Sequence, residues 1–262
     1  MLRRSGFTLI EAAVAIAVVA VLAGLMAPLA VKALNQQREA RTRESLKLAF
    51  EALAGARDRR VPNLRADTGY TPTASLADLR ALVVDPTGAP AYGYNGQQFL
   101  WGWNGPYWQG SLDVGNRPLD GWGAPIRFQV AVASGLAVWQ MRSNGADRIA
   151  GTGDDLAYPT VPASALSYNA TLLLTVLKTG TATNTTGNAS LVHPNGAGGL
   201  TTLSPGTSPN ILNSETPQTF SWHVPAGGMQ LNVLPSGTGN FAPVRLALDL
   251  LPGETRQVEL VL

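Results

Sequence analysis

The sequence predicts an α+β chain: a long N-terminal helix, apolar first and amphipathic later, packed on a small antiparallel sheet and followed by a β-sandwich-like domain. Three observations predict it. From Ala12 to Val31 no side chain is charged or hydrogen-bonding. Beyond Lys32 neither Gly nor Pro interrupts the chain until Gly55. After Pro159 short apolar runs alternate with Gly/Pro turns, the pattern of strands rather than helices.

The apolar run comes first. A helix needs about 20 such residues to cross the hydrocarbon of a bilayer, and this run is long enough. Arg3 and Arg4 precede it, which by the positive-inside rule orients that end toward the cytoplasm. A secretory signal peptide has a shorter apolar segment and a small-x-small cleavage site, whereas the best such site here, Val31-Lys32-Ala33, contains a lysine. A buried core helix rarely stands at the extreme N-terminus behind an arginine pair. Glu11 is the anomaly. A carboxylate at membrane depth costs on the order of a few kcal/mol and so needs a partner and a function. Gly24 and Pro28, four apart, are where this helix is expected to bend or locally melt.

The helix then becomes polar. Glu39 with Arg43, Arg41 with Glu44 and Lys47 with Glu51 stand at helical spacing, and Leu46, Phe50 and Leu53 with Ala49 and Ala56 form one apolar stripe. Pro62 and Gly69 are expected to end it. The basic stretch Arg38–Arg65 suits a solvated face, acidic lipid heads or an acidic neighbour. Ser75, as N-cap with Asp78, opens a predicted short helix carrying Leu76, Leu79, Leu82 and Val83. Asp85 to Gly123 reads as a long ordered loop whose Trp101, Trp103, Tyr107, Trp108 and Trp122 supply its packing. Ile126–Val132 and Leu136–Arg142 read as a hairpin.

Beyond Pro159, strands are expected at 170–177, 219–224, 229–233, 244–250 and 257–262, with a polar loop from Thr179 to Ser214. His193 and His223, the only histidines, have no acidic sequence neighbours and read as surface or sheet residues.

Composition excludes several functions. With no cysteine there is no disulfide, thiolate metal site or cysteine nucleophile. A net charge of +2 argues against a nucleic-acid surface, and the charge is unevenly spread: residues 1–65 hold 11 Lys/Arg and 5 Asp/Glu, leaving 8 and 12 for the rest. No nucleophile elbow, phosphate loop or paired carboxylates on a cleft is apparent, so no enzyme is expected.

Ser143–Leu156 places Asp147, Asp154 and Asp155 among three glycines. Such oxygen-rich, flexible loops suit calcium, although Asp/Gly turns are common and the spacing is not that of an EF-hand.

Gly6-Phe7-Thr8-Leu9-Ile10-Glu11, behind a short basic leader, resembles the class III leader of type IV pilins and type II secretion pseudopilins. The resemblance implies cleavage by a prepilin peptidase between Gly6 and Phe7 and N-methylation of Phe7. It also implies an assembly role for Glu11, whose carboxylate pairs with the N-terminal ammonium of a neighbouring subunit. Tyr70-Thr71-Pro72-Thr73, Gly105-Pro106-Tyr107, Asp120-Gly121-Trp122-Gly123-Ala124-Pro125 and Ser143–Leu156 extend it, being similar in order and spacing to the major pseudopilin of type II secretion. That similarity marks Asp154 and Asp155 as the stronger calcium ligands and Asp147 as the weaker one; Arg148 departs from the family pattern.

The expected organisation is a leader at 1–6, a transmembrane helix at 7–34, its amphipathic continuation at 35–62, a pseudopilin globular domain at 63–158 and a β-sandwich at 159–262. The implied partners are further copies, other pseudopilins, prepilin peptidase, the inner-membrane secretion platform and the membrane, with no nucleic acid. The implied location is the bacterial inner membrane, N-terminus cytoplasmic and domains periplasmic, with assembly into a filament. The alternative is a minor pilin-like protein whose C-terminal domain binds a sugar, a surface or a secreted protein.

Overall fold

A computed structural model describes residues 9–75, 79–177, 187–204, 217–235 and 241–262. Helix α1 (Leu9–Ala54) is followed by α2 (Leu64–Thr68) and strands β1 (Arg127–Ala133), β2 (Leu136–Ser143) and β3 (Leu156–Ser164). Seven more follow among the described residues: β4 (Asn169–Leu177), β5 (Gly187–Pro194), β6 (Leu200–Leu203), β7 (Gln218–Pro225), β8 (Gly227–Pro235), β9 (Val244–Leu250) and β10 (Thr255–Val261). This is the α+β architecture the sequence predicts.

α1 runs unbroken through Gly24 and Pro28, so no melting occurs there. Proline removes the hydrogen bond to the carbonyl four residues back, here that of Gly24, and nothing else crowds Gly24. The helix stops before Pro62. Gly55, at φ +87°, turns the chain after Ala54 while its N–H still donates to the Glu51 carbonyl at 2.8 Å.

The stripe Leu46, Phe50, Leu53 is fully packed against Phe128, Trp139 and Met141 of the first sheet, and Phe50 meets Tyr158 and Tyr168 edge to face at 5.7 and 5.2 Å. Each such side chain contributes roughly 1.5–3 kcal/mol on burial, so this half of the helix belongs to the globular core. Trp108 joins that core and Trp101 is buried, as the packing reading of the loop expects.

The predicted hairpin gains a third strand, giving the order β1-β2-β3, all antiparallel. β3 runs across residues 158 and 159 and contains Pro159 and Pro162, which an edge strand tolerates. The predicted helix after Ser75 is corrected. A 3-10 turn spans Arg80–Leu82, and Ser75 Oγ instead accepts from the Val130 N–H at 3.0 Å, holding the β1 edge; residues 76–78 lie outside the described set.

The remaining strands form two sheets, β10-β4-β7 and β6-β5-β8-β9, with β10 parallel to β4 and every other pair antiparallel. Ala170, Leu172, Leu174 and Val176, alternating along β4, share one core with Leu191 of β5 and Met229, Leu231 and Val233 of β8. The predicted polar loop from Thr179 to Ser214 is therefore wrong where it is described. β5 and β6 lie within it, with Asn188 of β5 exposed, Ser190 half-buried and Ala189, Leu191 and His193 buried.

α2 joins the two halves of the molecule. Asn63 Oδ1 caps it by accepting from the Ala66 N–H at 2.8 Å, and Gly69 at φ +76° ends it. Its Ala66 backbone lies so close to β8 that a Cβ on Gly227 would stand 2.4 Å from the Ala66 carbonyl oxygen. Arg65 lies over the Trp139 ring at 4.8 Å and donates to Asn169 Oδ1, tying the first core to β4.

Candidate functional site

Two of the features singled out by sequence lie in described residues, and α1 links them. The first is its membrane-type half. Leu9, Ile10, Val14 and the apolar residues through Leu34 are exposed, and this is the one helix among the described residues long and apolar enough to cross a membrane. A rod of bare leucine, valine and isoleucine is unstable in water and at home in lipid or against similar rods. Glu11 sits in its first turn, where a carboxylate favours the positive end of the helix dipole. Gly6 and Phe7 lie outside the described residues.

The second feature is the acidic loop. It connects β2 to β3, and the pair Ser143↔Leu156 closes its base. Gly145, at φ +66°, lets the loop fold on itself, since a Cβ there would stand 2.3 Å from the Asp154 carbonyl oxygen. Asp154 Oδ2 accepts from the N–H groups of Ala146 and Asp147 at 2.6 and 3.0 Å, and its pKa lies below the ordinary carboxylate value, chiefly through the Asp147 N–H and then the Thr152 hydroxyl. Asp155 Oδ2 accepts from Gly151, and Asp147 Oδ1 from Ile149.

The Thr152 hydroxyl is the centre. Asp154 Oδ1 lies 2.8 Å from it, the Ile149 carbonyl 2.9 Å, Asp147 Oδ1 3.2 Å and Asp155 Oδ1 3.5 Å. One hydroxyl proton serves one of these four acceptors at a time. The loop thus gathers five hard oxygens, the donor type calcium takes. Among the described residues no three acidic or histidine side chains converge tightly enough to hold a metal as they stand. Arg148 Nη2 is directed away to the Trp122 carbonyl at 2.8 Å.

Sequence reasoning missed the link from this loop to α1. Ser143 Oγ donates to the buried Asp120 at 2.6 Å and accepts from the Gly145 N–H at 3.1 Å. Next to Asp120, Gly121 donates to Thr42 Oγ1 at 2.9 Å, and its missing Cβ would lie 2.3 Å from the Arg38 carbonyl oxygen. The Asp-Gly pair signalled a turn; that the turn docks on the helix depended on tertiary contact.

A further buried acid has no sequence signature. Asp67 of α2 is desolvated, which pushes its pKa up to about 7 against the opposing hydrogen bonds of Tyr107 and Asn104, and its Oδ2 has no hydrogen-bond partner. Arg65, two residues away, is lowered to about 10 by burial. The histidines divide between strands, His193 buried in β5 and His223 exposed in β7.

Residues 1–27 match the prokaryotic N-terminal methylation motif. No match was found among curated proteins or solved structures. The matched stretch contains Gly6, Phe7 and Glu11 and the start of the exposed apolar half of α1. It supports a membrane-anchored, pilin-like filament subunit, and the motif implies prepilin peptidase processing and polymerisation with other pilins.

Proposed function

We propose that this chain is a structural subunit of a type II secretion pseudopilus, polymerising through α1 and acting mechanically in protein secretion. The observation that carries the reading is the division of one continuous helix into a bare apolar half bearing Glu11 and a half sealed into a globular core. Only an environment outside the isolated chain, first bilayer and then neighbouring helices, satisfies the bare half. Glu11 selects register by meeting the N-terminal ammonium of Phe7 on an adjacent copy, so that two charges costly alone are neutralised together. The globular parts lie on the periplasmic side of the inner membrane and form the outer surface of the filament, and the role is structural rather than catalytic.

Calcium belongs to the same reading. An ion held by Asp154, Asp155 and Asp147, with the Thr152 hydroxyl and the Ile149 carbonyl, relieves the competition of four acceptors for one proton and locks the loop onto β2.

The mass of the mature N-terminal peptide tests the proposal. Cleavage after Gly6 with one added methyl on Phe7 is expected; a chain beginning at Met1, or beyond Val31, overturns it.

A further inference from the structure

Between the long loop of the first globular part, the head formed around β1-β2-β3, and the sandwich formed by β4–β10 lies a cleft of about 410 Å³, within the roughly 300–1,000 Å³ of small-ligand sites. Tyr92 and Tyr94 line it from the loop. The residues alternating with them are engaged in backbone bridges, Ala91 with Trp103 and Gly93 with Trp101, so the two tyrosines leave the segment on the same side. They are 39% and 61% exposed, which is unusual for two adjacent aromatic side chains in a chain whose other loop tryptophans are packed inward. β9 and the turn after it supply the sandwich side of the cleft, and the amides of Gln98 and Asn104 lie within it.

The fixed charges of the cleft are already matched. Arg60 is ion-paired to the Asp249 carboxylate, and Arg59 Nη2 meets Glu51 at 2.5 Å. Asp67, which also lines the cleft, has its pKa raised to about 7 by burial and is neutral only below that pH. An anionic ligand therefore finds no uncompensated cation among these residues, and below about pH 7 a cationic one finds Asp67 mostly uncharged. A peptide strand is also disfavoured. β9 is the edge of its sheet, but Arg60 Nη2 donates to the Asp249 carbonyl at 2.6 Å and occupies an acceptor that an added strand needs. What remains is two accessible aromatic faces beside uncharged amides.

We propose that this cleft binds a neutral oligosaccharide, with pyranose faces stacked on Tyr92 and Tyr94 and ring hydroxyls bonded to Asn104 and Gln98. A pyranose presents an apolar C–H face and a rim of hydroxyls that both donate and accept, which is the complement of an aromatic lip over amides. The proposal goes beyond the filament reading and does not depend on it.

The test uses the full chain in lipid nanodiscs, titrated calorimetrically with maltohexaose, cellohexaose and N-acetylchitohexaose. At least one is expected to bind with a Kd of about 1 mM or tighter. Tyr94→Ala and Tyr92→Ala are each expected to weaken that binding about tenfold or more while leaving the thermal unfolding midpoint in place; Val114→Ala, at an exposed loop tip, leaves binding unchanged. Absence of binding by all three sugars at about 10 mM overturns the proposal. So does a Tyr92→Ala, Tyr94→Ala double variant that binds like the parent, or an uncharged hexapeptide bound more tightly than every sugar. Because the readout needs no polymerisation, its failure leaves the filament reading standing, and loss of filaments leaves binding measurable.

Discussion

The two halves of α1 share one backbone geometry and differ in everything outside it. Before Thr42 nearly every described side chain is exposed; from Thr42 onward Leu46, Ala49, Phe50 and Leu53 have almost no accessible surface. The near half is held by packing within the chain. The far half, with Ala, Val and Leu running round all its sides, has its stabilising contacts elsewhere, in lipid or in other subunits. A single helix thus carries two separable free-energy ledgers, one read by unfolding and one by assembly.

That separation is open to mutation. Glu11→Ala has the largest expected effect: filaments recovered by shearing fall to background, while the unfolding midpoint of the globular part does not move. Normal polymer yield from this variant breaks the comparison at its far end. Phe50→Ala does the reverse. Deleting an aromatic ring that packs on Tyr158 and Tyr168 costs about 3–5 kcal/mol in denaturant unfolding, with membrane insertion unchanged.

Asp67 sharpens the near-half account through pH. Its carboxyl titrates near 3.8 unfolded and about 7 folded, so the folded chain binds the extra proton between those values. Stability from this group is present below about pH 4, falls as pH rises, and levels off above about 7, a loss of up to roughly a few kcal/mol. Asp67→Asn is expected to flatten that slope in urea melts at successive pH values; an unchanged slope assigns it to another group. The smallest effect is calcium. Millimolar Ca²⁺ is expected to raise the unfolding midpoint by about 2–4 °C, and Asp154→Asn to abolish the rise. Since the loop reaches Thr42 through Ser143, Asp120 and Gly121, the stiffening falls where the two halves of the helix meet.

Much of this was legible in the sequence because the periodicities are clean. The i, i+4, i+7 stripe of Leu46, Phe50 and Leu53 and the strict alternation of Ala170, Leu172, Leu174 and Val176 state their burial directly. β3 was hidden by Pro159 and Pro162, which read as loop unless an edge position is known. β5 was hidden by small residues, since Gly187, Asn188, Ala189 and Ser190 alternate in burial while the buried positions are only Gly and Ala. The acidic loop was visible as composition. The convergence of its oxygens on Thr152, and the burial of Asp67, belong to tertiary structure and leave no local trace.

The seam between head and sandwich has a mechanical consequence. Gly227 admits the Ala66 backbone where any side chain would collide, Gly69 abuts the Pro194 carbonyl in the same way, and Arg65 spans from Trp139 to Asn169. A joint stitched at three separated points resists swivelling. A displacement of the sandwich is therefore passed through α2 to the packed half of α1 without slack.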